Sequence, residues 1–214
     1  MANILLPNQY SYLDSLTTKK NELTKRMEKF AKENSIPILE DISADFLEQL
    51  VYMYSPKKCL EIGMAIGYST IRVAKNLKND AKIDTIEFSK QNIKWAQSYI
   101  KQSGFSSKIK IIDGDARVVM KDMSPKYDFI FLDADKKYYL ELFELALKLL
   151  VKDGVILVDN LLWQGFAASQ EVPEKYKKST EFIREFNAKF LTTSNLKATI
   201  LPIGDGLGLG IKTN

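Results

Sequence analysis

The 214-residue chain contains no histidine. Imidazole is the only side chain whose unperturbed pKa falls between about 5 and 8, and it is the commonest metal ligand. Its absence excludes Ser-His-Asp and Cys-His hydrolases, and with them HExxH zinc sites, facial-triad iron and histidine-ligated haem. Catalysis must use carboxylates, lysines, tyrosines, backbone groups, a hard metal ion or an organic cofactor. The single cysteine, Cys59, cannot form an internal disulfide, which fits a reducing compartment, and its place in CLEIG points to a buried, inert thiol. No run approaches the ~18 consecutive apolar residues of a membrane span. The start MANILLPNQYSYLD lacks the basic region and long apolar stretch of a signal peptide. A soluble, cytoplasmic protein is expected.

What is present suffices for a sizeable core: 45% of residues are hydrophobic, in a length that suits one domain. The 31 basic and 27 acidic side chains leave a formal charge of +4. Such an excess permits a polyanionic partner without requiring one.

From Ser11 to Asn34, Leu16, Leu23, Met27 and Phe30 fall at helical spacing among basic residues, which predicts an amphipathic helix. IPILE interrupts it at Pro37, and a second helix is expected from about Ser43 to Tyr54. After Pro56 the rhythm changes. KCLEIG, KIDTIE, IKIID, YDFIFLD and GVILVD read as buried strands, separated by helical patterns near 68–79, 90–103, 116–123 and 138–150. Strands alternating with crossover helices predict a parallel sheet covered on both faces. A helix near 180–190 then leads to KATILPI, GDG and LGLGIK, a hairpin whose last strand should run antiparallel to its neighbours. The loop from Trp163 to Lys178 is the longest irregular stretch expected, and a candidate lid or substrate wall.

Four groups of residues could carry chemistry. In LEIGMAIGYST, Glu61, Gly63 and Gly67 end the first strand and Ser69 opens the next helix, so backbone amides can approach a ligand closely. The spacing is not that of GxGxxG, and a plain tight turn is the alternative. Glu87 follows the second strand ~20 residues beyond, where an acid commonly grips a ribose diol; a lone surface acid reads the same way. In GDAR, Asp115 and Ala116 would lie at the carboxyl edge of the sheet, placed for an adenine amine or simply for capping a helix. In FLDADKKYY and VDN, Asp133, Asp135, Lys136, Asp159 and Asn160 converge at the ends of two strands. Carboxylates gathered in one crevice repel unless protons or a cation intervene, and oxygen donors without His or Cys select Mg²⁺ or a similar hard ion. Helix capping would account for them without any ligand.

Taken in order, EIGMAIGYS, TIE, GDA, FLDADK, VDN and LPIGDG resemble the class I S-adenosylmethionine-dependent O-methyltransferases of the catechol and caffeoyl-CoA type, over about residues 35–212. The resemblance implies a single methyltransferase domain over residues 1–214, with a helical cap at 1–55 and a cofactor- and metal-binding core at 56–214. The fold implied is α/β: a Rossmann-like, doubly wound, seven-stranded sheet, mostly parallel, with an antiparallel C-terminal hairpin strand. By the same resemblance Glu61, Gly63 and Ser69 lie along the methionine and ribose of the cofactor, Glu87 binds the ribose hydroxyls, and Asp115 and Ala116 lie at the adenine. Leu39 matches a position that closes over the cofactor. Asp133, Asp159 and Asn160 fall on divalent metal ligands, with Asp133 also near the cofactor's amino group, and Lys136 falls on the general base.

A methyl sulfonium is already activated, so such an enzyme chiefly aligns an oxygen nucleophile behind the methyl carbon. A divalent ion chelates two neighbouring oxygens and eases loss of the hydroxyl proton. The substrate should therefore present a hydroxyl beside another hydroxyl or a carbonyl. Catechol enzymes carry a glutamate after the final DGL, where this chain has Gly208, which weakens the assignment of a free catechol.

Within the family, the basic N-terminal helix, NSIPILE and LEIGMAIGYSTIR look most like the bacterial branch that methylates 5-hydroxyuridine at the tRNA wobble position. That resemblance implies an anticodon loop as partner, with Trp163, Tyr138 and Phe166 available for stacking and Lys19, Lys20, Lys25, Arg26, Lys175, Lys177 and Lys178 for phosphates. A small catechol or hydroxycinnamoyl ester is the alternative substrate. A nicotinamide-binding or non-catalytic nucleotide-binding protein is the alternative from another class, and it leaves the Asp133, Asp159 and Asn160 group without a purpose. Dimerisation is common in the family, so a homodimer is expected.

Overall fold

The computed structural model describes residues 6–16, 20–124 and 126–214. The five apolar runs after Pro56 form β1 (Lys58–Ile62), β2 (Lys82–Glu87), β3 (Ile109–Asp113), β4 (Tyr127–Leu132) and β5 (Leu150–Val158). All four neighbouring pairs among them are parallel. The closing hairpin is β6 (Leu196–Leu201) and β7 (Leu207–Lys212), with β7 antiparallel to both β5 and β6. The seven strands form one sheet in the order β3-β2-β1-β4-β5-β7-β6, the expected doubly wound fold with an antiparallel edge.

Both faces of the central strands are covered, which is why they read as continuous apolar runs rather than as alternations. On one face Cys59, Phe129, Phe131 and Leu157 pack with Leu47 and Val51 of α3 (Asp41–Tyr54), Val73 of α4 (Tyr68–Asn76) and Ala96 of α5 (Lys90–Ser103). On the other, Leu60, Ile62, Ile130 and Ile156 pack with Phe143 of α7 (Tyr139–Leu149) and with Phe186 and Phe190 of α8 (Glu174–Thr192). A four-residue helix, α6 (Ala116–Val119), follows β3. Among the described residues no helix is long and apolar enough to cross a membrane.

Three sequence expectations need correction. The N-terminal helix is two helices, α1 (Pro7–Leu16) and α2 (Glu22–Glu33), and Asn21 caps the second by accepting from the Thr24 amide at 2.8 Å. Leu16 is consequently 60% exposed and does not share the buried stripe of Met27. The long loop is shorter than expected, because α8 begins at Glu174 behind Pro173, whose fixed φ suits a helix start.

The sheet is extended by one residue beyond its carboxyl ends. Gly114 N donates to Glu87 O at 3.0 Å, Gly63 N to Ile86 O at 3.1 Å, Asp133 N to Ile62 O at 3.0 Å and Asp159 N to Leu132 O at 3.1 Å. Strand order reverses between β1 and β4, so a crevice opens there. The added ladder rungs place Glu87, Gly63, Asp133 and Asp159 along its floor.

Candidate active site

A cavity of about 780 Å³ occupies this crevice, large enough for a nucleoside-sized cofactor and part of a second molecule. Gly63, at φ +97°, is required at its centre: a Cβ there would lie 2.0 Å from the Asp133 carbonyl oxygen. The close approach of β1 to β4 at the switch point leaves room for glycine alone.

Glu87, 6% exposed, lies on one side of that turn. Its Oε2 accepts from Ala65 N at 2.9 Å and its Oε1 from Ser89 N at 2.8 Å, so both oxygens are oriented and each retains acceptor capacity for a ligand hydroxyl. Asp115 caps α6 by accepting from Arg117 N at 2.9 Å and pairs with the Arg117 guanidinium at 2.5 Å. Those bonds from Arg117 hold its carboxyl below the usual range. Asp115 thus serves as a helix cap and also lines the cavity, as does Ala116.

Leu39, 4% exposed, also lines the cavity, with Pro37 and Ile38. The helices flanking that segment are tied to the glycine turn through Tyr68. Its hydroxyl lies 2.8 Å from Glu28 of α2 and 3.0 Å from Asp41 of α3, and it accepts from Arg72 at 3.0 Å. Arg72 in turn pairs with Glu48 at 2.5 Å and with Asp45.

Ser69 lines the cavity but Glu61 does not. Glu61 is fully buried one layer behind, accepting from Ser69 Oγ at 2.6 Å and from the hydroxyls of Thr70 and Thr85. Side chains alternate along a strand, and at this position the chain faces the interior, so Glu61 meets the cavity only through Ser69. Burial pushes its carboxyl up to about 7 against the three hydroxyl bonds, with Asp133 adding to the rise.

At the other end of the cavity Asp133, Lys136, Asp159 and Asn160 come together, as their positions at adjacent strand ends predict. Asp159 is 4% exposed and its Oδ1 is buried with no hydrogen-bond partner among the described residues. Burial and the neighbouring Asp133 raise its carboxyl well above the ordinary range. Lys136 Nζ lies 3.0 Å from Asp133 Oδ1 and 3.1 Å from the Ala134 carbonyl. Burial favours its neutral amine, but Tyr139, Asp133 and Asp159 outweigh this and hold it above the usual lysine range. Among the described residues no group of three or more His, Cys, Asp or Glu side chains is placed to hold a metal ion, and the remaining oxygen-bearing side chain of this cluster is the amide of Asn160.

Asp135, in the same motif, caps the turn at Lys136–Tyr138 by accepting from Lys137 N at 3.2 Å and pairs with Lys137 at 3.1 Å. Asp205, which sequence reasoning did not single out, also lines the cavity beside Asn160. Its sequence signal is the LPIGDG motif, which carried part of the resemblance but whose GDG turn by itself reads as an ordinary hairpin tip.

The outer wall is Trp163 and Gln164, both at positive φ (47° and 55°), a conformation costing about 1–2 kcal/mol per residue. Tyr138 lines the cavity with the Arg117 guanidinium 3.7 Å from its ring centre, whereas Phe166 stacks on Tyr176 at 5.1 Å outside the lining. A Cβ on Gly208 would lie 2.5 Å from Leu161 Cδ1 and 3.1 Å from Phe190 Cε1, so this position faces the core and not the cavity. Of the basic residues expected to meet phosphates, Lys19 lies outside the described residues. Lys20 pairs with Glu28 and Asp41, Lys25 with Glu22, and Lys177 with Glu174, while Arg26 donates to Gln102. Lys175 and Lys178 lie over the rings of Tyr176 and Phe182.

The chain is 31% identical over 211 residues to a caffeoyl-CoA O-methyltransferase of Medicago sativa, covering 93% of this chain and 85% of the relative. It is 30% identical over 212 residues to a flavonoid 3',5'-methyltransferase of Vitis vinifera, covering 95% and 87%. The structure superposes on an O-methyltransferase from Bacillus cereus in complex with SAH with a TM-score of 0.82, at 25% identity and coverage of 95% and 96%. With a profile described as O-methyltransferase matching residues 14–213, nearly its whole length, the chain belongs to the O-methyltransferase family.

Proposed function

We propose that this protein transfers the methyl group of S-adenosylmethionine to a phenolic hydroxyl that has a second oxygen beside it, with a hard divalent ion at Asp133, Asp159 and Asn160. The observation that carries this reading is the buried Oδ1 of Asp159, which has no hydrogen-bond partner among the described residues, in the same cavity as the oriented carboxylate of Glu87. An unpaired buried carboxylate oxygen costs free energy unless a cation or proton meets it, and an all-oxygen donor set suits Mg²⁺. Such an ion, when bound, supplies chelation of two adjacent oxygens and a lower hydroxyl pKa.

The chain's own residues take the other roles. Glu87 accepts from the ribose hydroxyls. Asp115 and Ala116 border the adenine, with Tyr138 and Arg117 stacked at that edge. Gly63 and Ser69 line the methionine and ribose, with Glu61 holding Ser69 from behind, and Leu39 covers the cofactor. Lys136, beside Asp133, receives the hydroxyl proton: a cation held by Asp133 and Asp159 would offset the two carboxylates that raise the amine, leaving Tyr139 against the burial that favours its neutral form. Support for a phenolic substrate comes from the names of the Medicago and Vitis relatives. The tRNA 5-hydroxyuridine reading satisfies the same need for adjacent oxygens, but most of the cations it relies on are already engaged with side chains of this chain.

The test is a methyl-transfer assay on caffeoyl-CoA, a catechol and 5-hydroxyuridine-containing tRNA, each in Mg²⁺ and in EDTA. Methylation of a phenolic substrate that is lost in EDTA and restored by Mg²⁺ is expected. Lys136→Ala should lower turnover by about 10²–10⁴ with SAH affinity preserved. Full activity in chelator would overturn the metal role, and methylation of tRNA alone would overturn the substrate.

A further inference from the structure

We propose that Asp205, at the tip of the β6–β7 hairpin, is a positioning residue that sets which end of the Asn160 amide faces the cation site and holds the Trp163–Gln164 wall in place. The proposal rests on the metal reading above. Asn160 Nδ2 donates to Asp205 Oδ2 at 3.3 Å, which commits the amide's donor end to the hairpin and leaves its carbonyl oxygen for another partner. An amide presents a donor at one end and an acceptor at the other. Only the acceptor end can serve a cation, so whichever group takes the NH₂ decides whether Asn160 is a ligand at all. The other oxygen of Asp205 accepts from Gln164 N, within the stretch of wall that carries two residues at positive φ.

The hairpin tip is built to keep this contact. Leu161 N donates to Gly206 O and Leu162 N to Asp205 O, both at 2.9 Å. A Cβ on Gly206 would lie 2.7 Å from Leu162 N, so glycine permits the approach. Asp205 therefore reaches two functions from one carboxylate, one oxygen toward the donor set and one toward the substrate wall. No other side chain described here accepts from the Asn160 amide.

Two variants separate positioning from mere support. Asp205→Ala removes both acceptors. Asp205→Asn keeps an oxygen for Gln164 N, but its NH₂ then faces Asn160, whose amide must turn its carbonyl toward the hairpin and its own NH₂ toward Asp133 and Asp159. Free Mn²⁺ measured by electron paramagnetic resonance reports cation affinity, calorimetry with SAH reports the cofactor side, and thermal melting reports the fold. Both variants should weaken Mn²⁺ binding by about 10- to 100-fold, the usual cost of losing a group that orients a metal ligand. SAH affinity should stay within about threefold, because the Asp205 carboxylate bonds to Asn160 and Gln164 and not to Glu87, Ser69 or Asp115, and Asp205→Asn should melt like wild type. Wild-type Mn²⁺ affinity in Asp205→Asn would overturn the proposal. So would a parallel loss of SAH and Mn²⁺ binding in that variant, which would mark Asp205 as structural only. Wild type that binds SAH but no Mn²⁺ would overturn the metal reading, and this proposal with it.

Discussion

Replacing Glu61 with glutamine should make the protein more stable at neutral and alkaline pH. The carboxyl is fully buried behind the glycine turn, and burial raises it from 4.5 in the unfolded chain to about 7. Between those values the native state holds a proton that the unfolded chain has released. Stability contributed by this group is therefore complete below pH 4.5, falls as the pH rises through about 7, and stays lost above it. At about 1.4 kcal/mol per tenfold change in proton affinity, the loss is about 3 kcal/mol. Glutamine mimics the protonated carboxyl: its oxygen can accept from Thr70 and Thr85, and Ser69 can rotate its hydroxyl to accept from the NH₂. Chemical denaturation from about pH 4.5 to pH 8 should show the two proteins alike at the acid end, with Glu61→Gln ahead by about 3 kcal/mol at the alkaline end. For a domain of this size the corresponding rise in melting temperature is about 6–12 °C. Parallel stability profiles, or a variant weaker than wild type at pH 8, would show that the three hydroxyl bonds hold the carboxylate ionised and would refute the reasoning.

Gly63→Ala should cost about 2–4 kcal/mol, since it combines a left-handed backbone with a collision against the β4 backbone; unfolding in denaturant measures this, and a loss below about 1 kcal/mol would show that β1 and β4 can separate freely. SAH affinity should fall with it, because the displaced strand carries Asp133. Leu6, just ahead of α1, and Tyr12 and Leu16 within it are 63%, 62% and 60% exposed, apolar side chains that a second copy of the chain would cover. Light scattering at micromolar concentration should return twice the 24.4 kDa of one chain, and a monomer mass would refute the homodimer that the sequence leads us to expect.

The strands β1, β4 and β5 were legible because a sheet covered on both faces requires nearly continuous apolar runs, and β2 and β3, nearer the edge, were legible as short Ile-rich segments that end at Glu87 and Asp113. Polar residues at the strand ends also made Glu87, Asp133, Asp159 and Asn160 legible as neighbours, since parallel strands bring their carboxyl ends to one edge. The break between α1 and α2 was not legible, because Leu16 keeps helical spacing with Leu23 across it. The start of α8 was missed because the polar, charged turn from Glu174 to Ser179 carries no apolar stripe. Basic residues read as free for phosphates are partly spent on Glu22, Glu28, Asp41 and Glu174, partners that charge patterning alone cannot assign.

By itself the sequence determined the chemical repertoire. Without imidazole, and with one cysteine inside a strand, the polar groups at the strand ends had to be carboxylates, an amide and a lysine. It also determined the order of strands and helices, through apolar runs and turn residues that act locally. Only the tertiary structure decided which of those groups share a cavity and in what state. It placed Glu61 behind Ser69, left Asp159 Oδ1 without a partner among the described residues, set Lys136 against Asp133, and brought Asp205 to Asn160 across 45 residues of chain. Burial and the distance between charges depend on packing from several elements at once, and no local pattern in the chain encodes them.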